Sequence, residues 1–199
     1  MKKEYILSSP SAIEKDFMYV FSPNSKSFVP FTFENGQAVN RYDESLKDYE
    51  YISIVSKKKY SDGVTLRTKC SFDSFGAPLI VLSDDISEDE NGRNMYGLHF
   101  EVVAYEKGCN VWHIVPFPER TERPIKSTKI AFSTFSIPEK SEIDLSVTVK
   151  DGKLYIDVNG EKLVAESPDL PKEFHIGITA CEGINSFSSI TIEKQLKIN

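Results

Sequence analysis

The chain has 199 residues and a hydrophobic fraction of 40%, which suits one domain with a core of its own. Thirty acidic residues against 24 basic ones give a formal charge of −6, and this balance argues against a nucleic-acid partner, because phosphate binding needs clustered Lys and Arg. No apolar stretch is long enough to span a membrane, and no apolar signal core follows the basic start. We therefore expect a single domain, residues 1–199, with neither a membrane nor a nucleic-acid partner. We expect it to be cytoplasmic, with removal of an export signal as the alternative.

The cysteines favour the same reducing compartment. Cys70, Cys109 and Cys181 are an odd number, widely spaced, and contain no Cys-x-x-Cys pair. Cys70 and Cys181 fall inside apolar strand patterns, where an unbridged thiol usually serves as inert packing.

The first third of the chain carries few periodic signals. Two short segments, residues 11–16 and 43–47, are the only helix candidates. The one basic run, Lys57, Lys58 and Lys59, is interpreted as a solvated turn or strand end, since it is too short to make a nucleic-acid surface.

Alternation of apolar and polar residues dominates from about residue 50 onward. Val64, Leu66, Thr68, Cys70 and Phe72 alternate with polar residues, which predicts a half-buried strand. Residues 78–82 predict a buried strand next along the chain. Turn residues punctuate the strands at regular spacing, as expected of a sandwich or barrel.

A polar loop of above-average length, residues 83–94, interrupts this rhythm. Its acidic side chains are oxygen ligands of the type that Ca²⁺ takes: Asp84, Asp85, Glu88, Asp89 and Glu90. No glycine stands at the sixth position from Asp84 or Asp85, so the loop is not an EF-hand. We prefer uncoordinated surface acid, and therefore no cofactor, with Ca²⁺ as the alternative.

The middle hairpin gives the main candidate site. If Lys107 and Gly108 form a two-residue turn, Val103 lies opposite Trp112 and Glu101 opposite Ile114. One face of the hairpin is then apolar apart from His113, which is expected to be a hydrogen-bonded core histidine. The other face carries His99, Glu101, Val103, Tyr105, Asn110, Trp112 and Ile114.

Five residues of that second face are candidate ligand-binding residues: His99, Glu101, Tyr105, Asn110 and Trp112. Aromatic rings stack on the C–H face of a sugar while polar groups orient its hydroxyls, so this combination suits carbohydrate. The alternative is an ordinary water-facing sheet surface with a packed Trp. Arg93, Arg120 and Arg123 near the ends of the same strands are candidates to clamp a carboxylate such as a uronic acid, with surface ion pairing as the alternative.

Two hairpin signals follow in the last third. Asp151-Gly152 and Asn159-Gly160 each separate alternating runs and predict tight turns. Apolar alternation resumes over residues 174–180, where His175 is free to join either face, and again over residues 187–192.

These last segments carry a family resemblance. Residues 154–163 resemble the strand, Asn-Gly, strand hairpin of concanavalin A-like lectin/glucanase jelly rolls, a group that includes laminin-G-like domains, and residues 174–180 and 187–192 resemble its closing strands. The resemblance implies an all-β, two-sheet antiparallel jelly-roll sandwich that binds carbohydrate on its concave face.

The chain departs from the glucanase branch at its catalytic motif, Glu-x-Asp-x-x-Glu. Glu142 and Asp144 are followed by Val147 where the second Glu belongs, and Glu14 and Asp16 by Tyr19. A retaining hydrolase needs two carboxyl groups about 5 Å apart, and neither partial match supplies them. Phosphate-binding glycine loops, His-Glu-x-x-His, Gly-x-Ser-x-Gly and paired Cys ligands are also absent from the sequence.

Three functional hypotheses remain. The leading one is a non-catalytic or accessory carbohydrate-binding domain for mono- or oligosaccharides. The second is a glycoside hydrolase or other enzyme acting on a sugar or uronide, with Glu101 or His99 as acid/base and an arginine stabilising charge. The third is a sandwich that binds another protein.

Overall fold

The computed structural model describes residues 2–22, 27–41, 49–117, 119–120 and 124–194. Within them the chain forms one 3-10 helix, Pro10–Ala12, and twenty β-strands. In chain order the strands are β1 (Lys2–Ile6), β2 (Phe17–Val20), β3 (Ser27–Val29), β4 (Thr32–Glu34), β5 (Gln37–Arg41), β6 (Tyr49–Tyr51), β7 (Ser53–Ser56), β8 (Tyr60–Ser61), β9 (Val64–Asp73), β10 (Ala77–Ser83), β11 (Ile86–Glu88), β12 (Asn94–Tyr96), β13 (His99–Tyr105), β14 (Gly108–Pro116), β15 (Ile125–Thr134), β16 (Ile143–Lys150), β17 (Lys153–Val158), β18 (Glu161–Glu166), β19 (Glu173–Cys181) and β20 (Ile184–Lys194). Among the described residues, no helix has the length and apolar character that crossing a bilayer requires.

Two antiparallel sheets organise these strands. The first sheet runs β18-β17-β16-β9-β20-β5-β4, with β1 also paired to β20. The second runs β15-β14-β13-β10-β19-β7-β2, with β8 also paired to β19. Two small pairs, antiparallel β11–β12 and parallel β3–β6, lie outside them. The predicted two-sheet sandwich is confirmed.

The core lies between the two sheets. The five alternating residues of β9 that predicted a half-buried strand all point inward and are at most 4% exposed, because one face of each strand must leave water. The second sheet meets them with large apolar side chains that are fully buried: Ile54, Ile80, Leu82, Phe100, Phe174. Each such side chain stabilises the fold by roughly 1.5–3 kcal/mol.

Both predicted tight turns are confirmed, and they form the β16-β17-β18 meander. Asp151 and Gly152 have φ of 53° and 71°, and Asn159 and Gly160 have φ of 53° and 93°. Positive φ at both central residues is the type I′ geometry, whose twist matches that of the flanking strands.

Other expectations have mixed outcomes. Within residues 11–16 only the end of the 3-10 helix and a following turn form, while residues 43–47 lie outside the described part of the chain. Lys57, Lys58 and Lys59 are exposed between β7 and β8. Cys70 is buried, as expected of inert packing, whereas Cys181 is only partly buried at the end of β19. Cys109 is also buried; burial raises the pKa of the Cys70 and Cys109 thiols, that of Cys109 to about 12.

Candidate functional site

The hairpin of β13 and β14 presents the two faces expected from its sequence. Phe100, Val102 and Val111 point into the core between the sheets. Glu101 pairs with Trp112 and Val103 with Asn110 on the opposite side, which we call the outer face of the second sheet. The candidate residues therefore lie on one face of the hairpin.

The predicted register of this hairpin is wrong by two residues. Tyr105 pairs with Gly108, so the turn is formed by Glu106 and Lys107. A Cβ on Gly108 would stand 2.1 Å from the carbonyl oxygen of Ser133 on β15. The glycine thus allows a close approach between strands and does not belong to the turn. Because the shift is an even number, every side chain keeps its predicted face.

A groove of about 550 Å³ runs along the outer face of the second sheet. Four of the five candidate residues line it: Glu101, Tyr105, Asn110 and Trp112. The other lining residues come from the same hairpin, from β15 and from the turns at the ends of β9 and β19: Phe75, Gly76, Ala77, Val103, Glu106, Lys107, Ile114, Ser127, Cys181 and Glu182.

The groove rests on a second apolar cluster, distinct from the core between the sheets. Leu79 and Val81 of β10 are fully buried on the outer face, next to Val103 of β13 and Val55 of β7. All seven residues of β10 are buried, because the strand is covered on both faces. That accounts for the continuous apolar run in its sequence.

Trp112 lies at the edge of this cluster and is partly buried. The ammonium group of Lys129 stands 4.9 Å from its ring centre, a cation–π contact that holds the indole in place. The ring is on the outer face and not between the sheets, so it can report on the groove.

The structure does not bring His99 to the groove. The side chain is 2% exposed, and its ring stacks on Tyr96 with 4.6 Å between centroids. Its Nδ1 lies 2.9 Å from the carbonyl oxygen of Gly97, and its Nε2 lies 3.7 Å from Oε1 of Glu101. Since Nδ1 faces a carbonyl oxygen, we assign the ring proton to Nδ1, and the buried imidazole does not line the groove.

Phe75 is the groove residue that the sequence reasoning missed. It is 78% exposed at the groove and has φ of 64°, a backbone conformation that is unusual for a bulky side chain. Its N–H donates to Oε1 of Glu139 at 3.2 Å, which helps to hold the turn. Strain of this type gathers at functional positions. The only signal in the sequence was an aromatic residue directly before Gly76.

The remaining histidines are structural. His113 lies on the core side as predicted, stacked on Phe100 with 4.7 Å between centroids and with Nδ1 3.7 Å from Asp169. Its Nε2 has no hydrogen-bond partner among the described residues, so the expectation that this histidine is hydrogen-bonded is wrong, and stacking on Phe100 holds the ring instead. His175 faces outward beside Ser83, with Nδ1 2.9 Å from the carbonyl oxygen of Ser56.

Two carboxylates of the acidic loop, those of Asp85 and Asp89, lie next to basic side chains. Asp89 accepts from the guanidinium and the N–H of Arg93, and these bonds lower its pKa to about 2. Asp85 lies 3.4 Å from the ammonium of Lys59. No group of three or more His, Cys, Asp or Glu in the described ranges is arranged to hold a metal ion.

Two of the three arginines proposed to clamp a carboxylate, Arg93 and Arg120, lie against aromatic rings. Besides its bonds to Asp89, Arg93 lies over Phe21 and Phe28, 5.6 and 5.7 Å from their ring centres. Arg120 lies 4.1 Å from the ring centre of Phe117. Arg123 is outside the described part of the chain.

Comparison with known proteins identifies the fold. No protein-family model and no curated protein sequence matches the chain. Among solved structures, the carbohydrate-binding module CBM66 from Bacillus subtilis has a TM-score of 0.62 at 12% identity over 90% of this chain and 96% of its own. β-Agarase A from Zobellia galactanivorans has a TM-score of 0.67 at 12% identity over 96% and 86%.

A third similar structure is a protein of unknown function with a galectin-like fold from Bacillus subtilis. It has a TM-score of 0.58 at 11% identity and covers 98% of each chain. Together these matches confirm that the chain has the concanavalin A-like jelly-roll sandwich fold that the C-terminal segments resemble. At identities near 12% they define fold and not function.

Proposed function

We propose that the groove on the outer face of the second sheet binds carbohydrate, and that the domain acts as a non-catalytic or accessory binding module. The observation that carries this proposal is the composition of the groove. Three aromatic residues, Phe75, Tyr105 and Trp112, line one groove together with Glu101 and Asn110.

The chemistry of a sugar fits that composition. A pyranose has an apolar C–H face that packs on an aromatic ring, and hydroxyl edges that need hydrogen-bond partners. Glu101 accepts hydrogen bonds, and the amide NH2 of Asn110 donates them, while Oδ1 of Asn110 is buried without a hydrogen-bond partner among the described residues. A volume of about 550 Å³ lies within the range of small-ligand sites.

The similar structures support the same class of ligand. One is named a carbohydrate-binding module, and another, β-agarase A, was solved in complex with oligoagarose. Both have the fold of this chain. Because proteins with the same fold can differ in function, the residues of the groove, and not the similarity in fold, must identify the sugar.

The enzymatic alternative has weaker support. The sequence lacks the Glu-x-Asp-x-x-Glu strand motif, and the enclosed His99 is poorly placed to exchange protons with a ligand. Glu101 lines the groove together with two carboxylates from turns, Glu106 and Glu182. If the domain hydrolyses a glycan, release of reducing ends should disappear in Glu101→Gln.

Tryptophan fluorescence during titration with mono- and oligosaccharides, with and without Ca²⁺, tests the proposal. Trp112 is the only tryptophan of the chain, so a saturable change reports on the groove. We expect saturation with at least one sugar. Tyr105→Ala should weaken that binding about tenfold, because it removes one of the aromatic surfaces.

Tyr155→Ala is the matched control. Tyr155 is 40% exposed on β17 of the first sheet, away from the groove, so its removal should leave the affinity within twofold of the original. Equal losses in both variants, or no response to any sugar, would contradict the proposal. Binding of a protein in place of any sugar would support the third hypothesis.

A further inference from the structure

A second and larger cleft lies at another edge of the sandwich. Its volume is about 1070 Å³, and it shares no lining residue with the groove. Its walls come from both sheets: the start of β1 and the end of β20, the turn before β2, the segment from the β7–β8 turn to the start of β9, the β16–β17 turn and the start of β19.

The charge of this cleft is opposite to that of the chain. Seven lysines line it: Lys3, Lys15, Lys57, Lys58, Lys59, Lys150 and Lys194. They exceed its four carboxylates, Asp16, Asp62, Asp151 and Glu173, by three charges, whereas the whole chain carries −6. Positive charge gathered in a concave site raises the local concentration of anions.

Several of these lysines are not neutralised by neighbours. Lys3 pairs with Asp16, and Lys59 lies 3.4 Å from Asp85. Within the described part of the chain, Lys15, Lys58 and Lys150 form no ion pair, and the ammonium group of Lys58 lies 4.7 Å from the ring centre of Tyr60. These three ammonium groups come from separate segments and face one space.

The wall of the cleft suits a ligand with a ring or carbon body. The buried rings of Tyr5 and Phe17 stack edge to face, 4.8 Å apart, and half-buried Tyr60 stands beside them. Burial is the main cause that raises the pKa of Tyr60 to about 12, so its hydroxyl keeps its proton near neutral pH and can donate to an anion.

We propose that this cleft binds a small polyanion that carries two or more sulfate, phosphate or carboxylate groups on a body of oligosaccharide size. Lysine binds such groups as a point charge, without the fixed fork of arginine, so the site accepts any of the three. The binding of an uncharged sugar in the groove is a separate event, and either proposal stands without the other.

Calorimetric titration with three probes tests the cleft: inorganic tripolyphosphate, a sulfated disaccharide and a uronate trisaccharide. We expect saturable binding of at least one, weakening as salt is added. The double variant Lys58→Gln, Lys150→Gln should bind at least tenfold more weakly. The probe that binds most tightly identifies the source of the anionic groups.

Lys126→Gln, Lys162→Gln is the matched control, since it removes the same charge at exposed positions of β15 and β18. It should keep the original affinity within twofold, as should Trp112→Ala. Equal losses in the two double variants would mean general surface attraction and would overturn the proposal. A loss of probe affinity in Trp112→Ala would place the anion in the groove and would also overturn the proposal. Failure of all three probes to bind would overturn it as well. Lys15→Gln gives a second test if the cleft variant does not fold.

Discussion

The outer faces of the two sheets differ in residue composition. On the first sheet, Arg67 lies 3.3 Å from Asp144, and the hydroxyls of Thr65 and Thr148 lie 2.7 Å apart. On the second sheet, Leu79 and other apolar residues lie fully buried under the groove. A sheet face that meets only water needs polar pairs, so the apolar face with its groove is where a ligand is expected.

Gly108→Ala should have the largest effect on the second sheet. The new Cβ would meet the carbonyl oxygen of Ser133 at 2.1 Å, and φ of 136° is unfavourable for alanine. We expect a loss in the free energy of unfolding on the order of 4 kcal/mol, measured by urea denaturation. Gly160→Ala, where nothing lies within 4 Å, should cost only about 1–2 kcal/mol. Equal losses would contradict the close approach of β14 and β15.

Leu79→Ala tests whether the second sheet is packed on its outer face. Leu79 is fully buried there and does not line the groove. Its truncation should lower the free energy of unfolding by about 3 kcal/mol. Arg67→Ala on the first sheet removes only a surface pair and should cost less than about 1 kcal/mol. A small loss at Leu79 would mean that the apolar cluster is loosely packed.

Phe75→Gly separates binding from stability. Glycine adopts φ of 64° without a steric penalty, and a side chain that is 78% exposed contributes little packing. We expect thermal stability to be unchanged or slightly raised, while sugar affinity in calorimetry falls about tenfold because an aromatic contact is lost. Reduced stability with unchanged affinity would show that Phe75 serves the fold.

The smallest effect concerns the β11–β12 hairpin. This hairpin also carries Tyr96, whose ring stacks on His99 at the outer face of the second sheet. The pKa of Asp89, about 2, is lowered by Arg93, so the ion pair stabilises the folded chain fully above about pH 4 and is lost as pH falls through 2. Carboxylate NMR of Asp89 should titrate near 2, and at a higher pH in Arg93→Gln, which removes the guanidinium but keeps the backbone N–H groups of residues 91 and 93 as donors. A midpoint near 4 in the unchanged chain would contradict the pair.

The sequence was most informative where a local pattern of residues is enough to determine the structure. The alternation at Val64, Leu66 and Phe72 fixes which side of β9 is buried, and Asn159-Gly160 permits few turns other than the one observed. The predicted turn at Lys107 and Gly108 was wrong because a glycine needed for close contact between strands looks the same in sequence as a glycine needed for a turn.

The candidate site was less accessible to sequence reasoning. The alternation placed Glu101 and Trp112 on one face, but the burial of His99 depends on Tyr96 from a separate hairpin. Phe75 enters the groove through a strained turn, and Lys58 and Lys150, 92 positions apart, meet only through the fold. Such groupings arise from non-local packing, which no local pattern encodes.

Mapping amide chemical shifts during sugar titration tests the central claim most directly. Backbone amides of Phe75, Glu101 and Tyr105 and the indole N–H of Trp112 should shift together and saturate with one dissociation constant. Amides of β9 and β16 on the first sheet should not move. Shifts confined to the first sheet, or no saturable shift with any sugar that binds by calorimetry, would contradict a carbohydrate site in the groove.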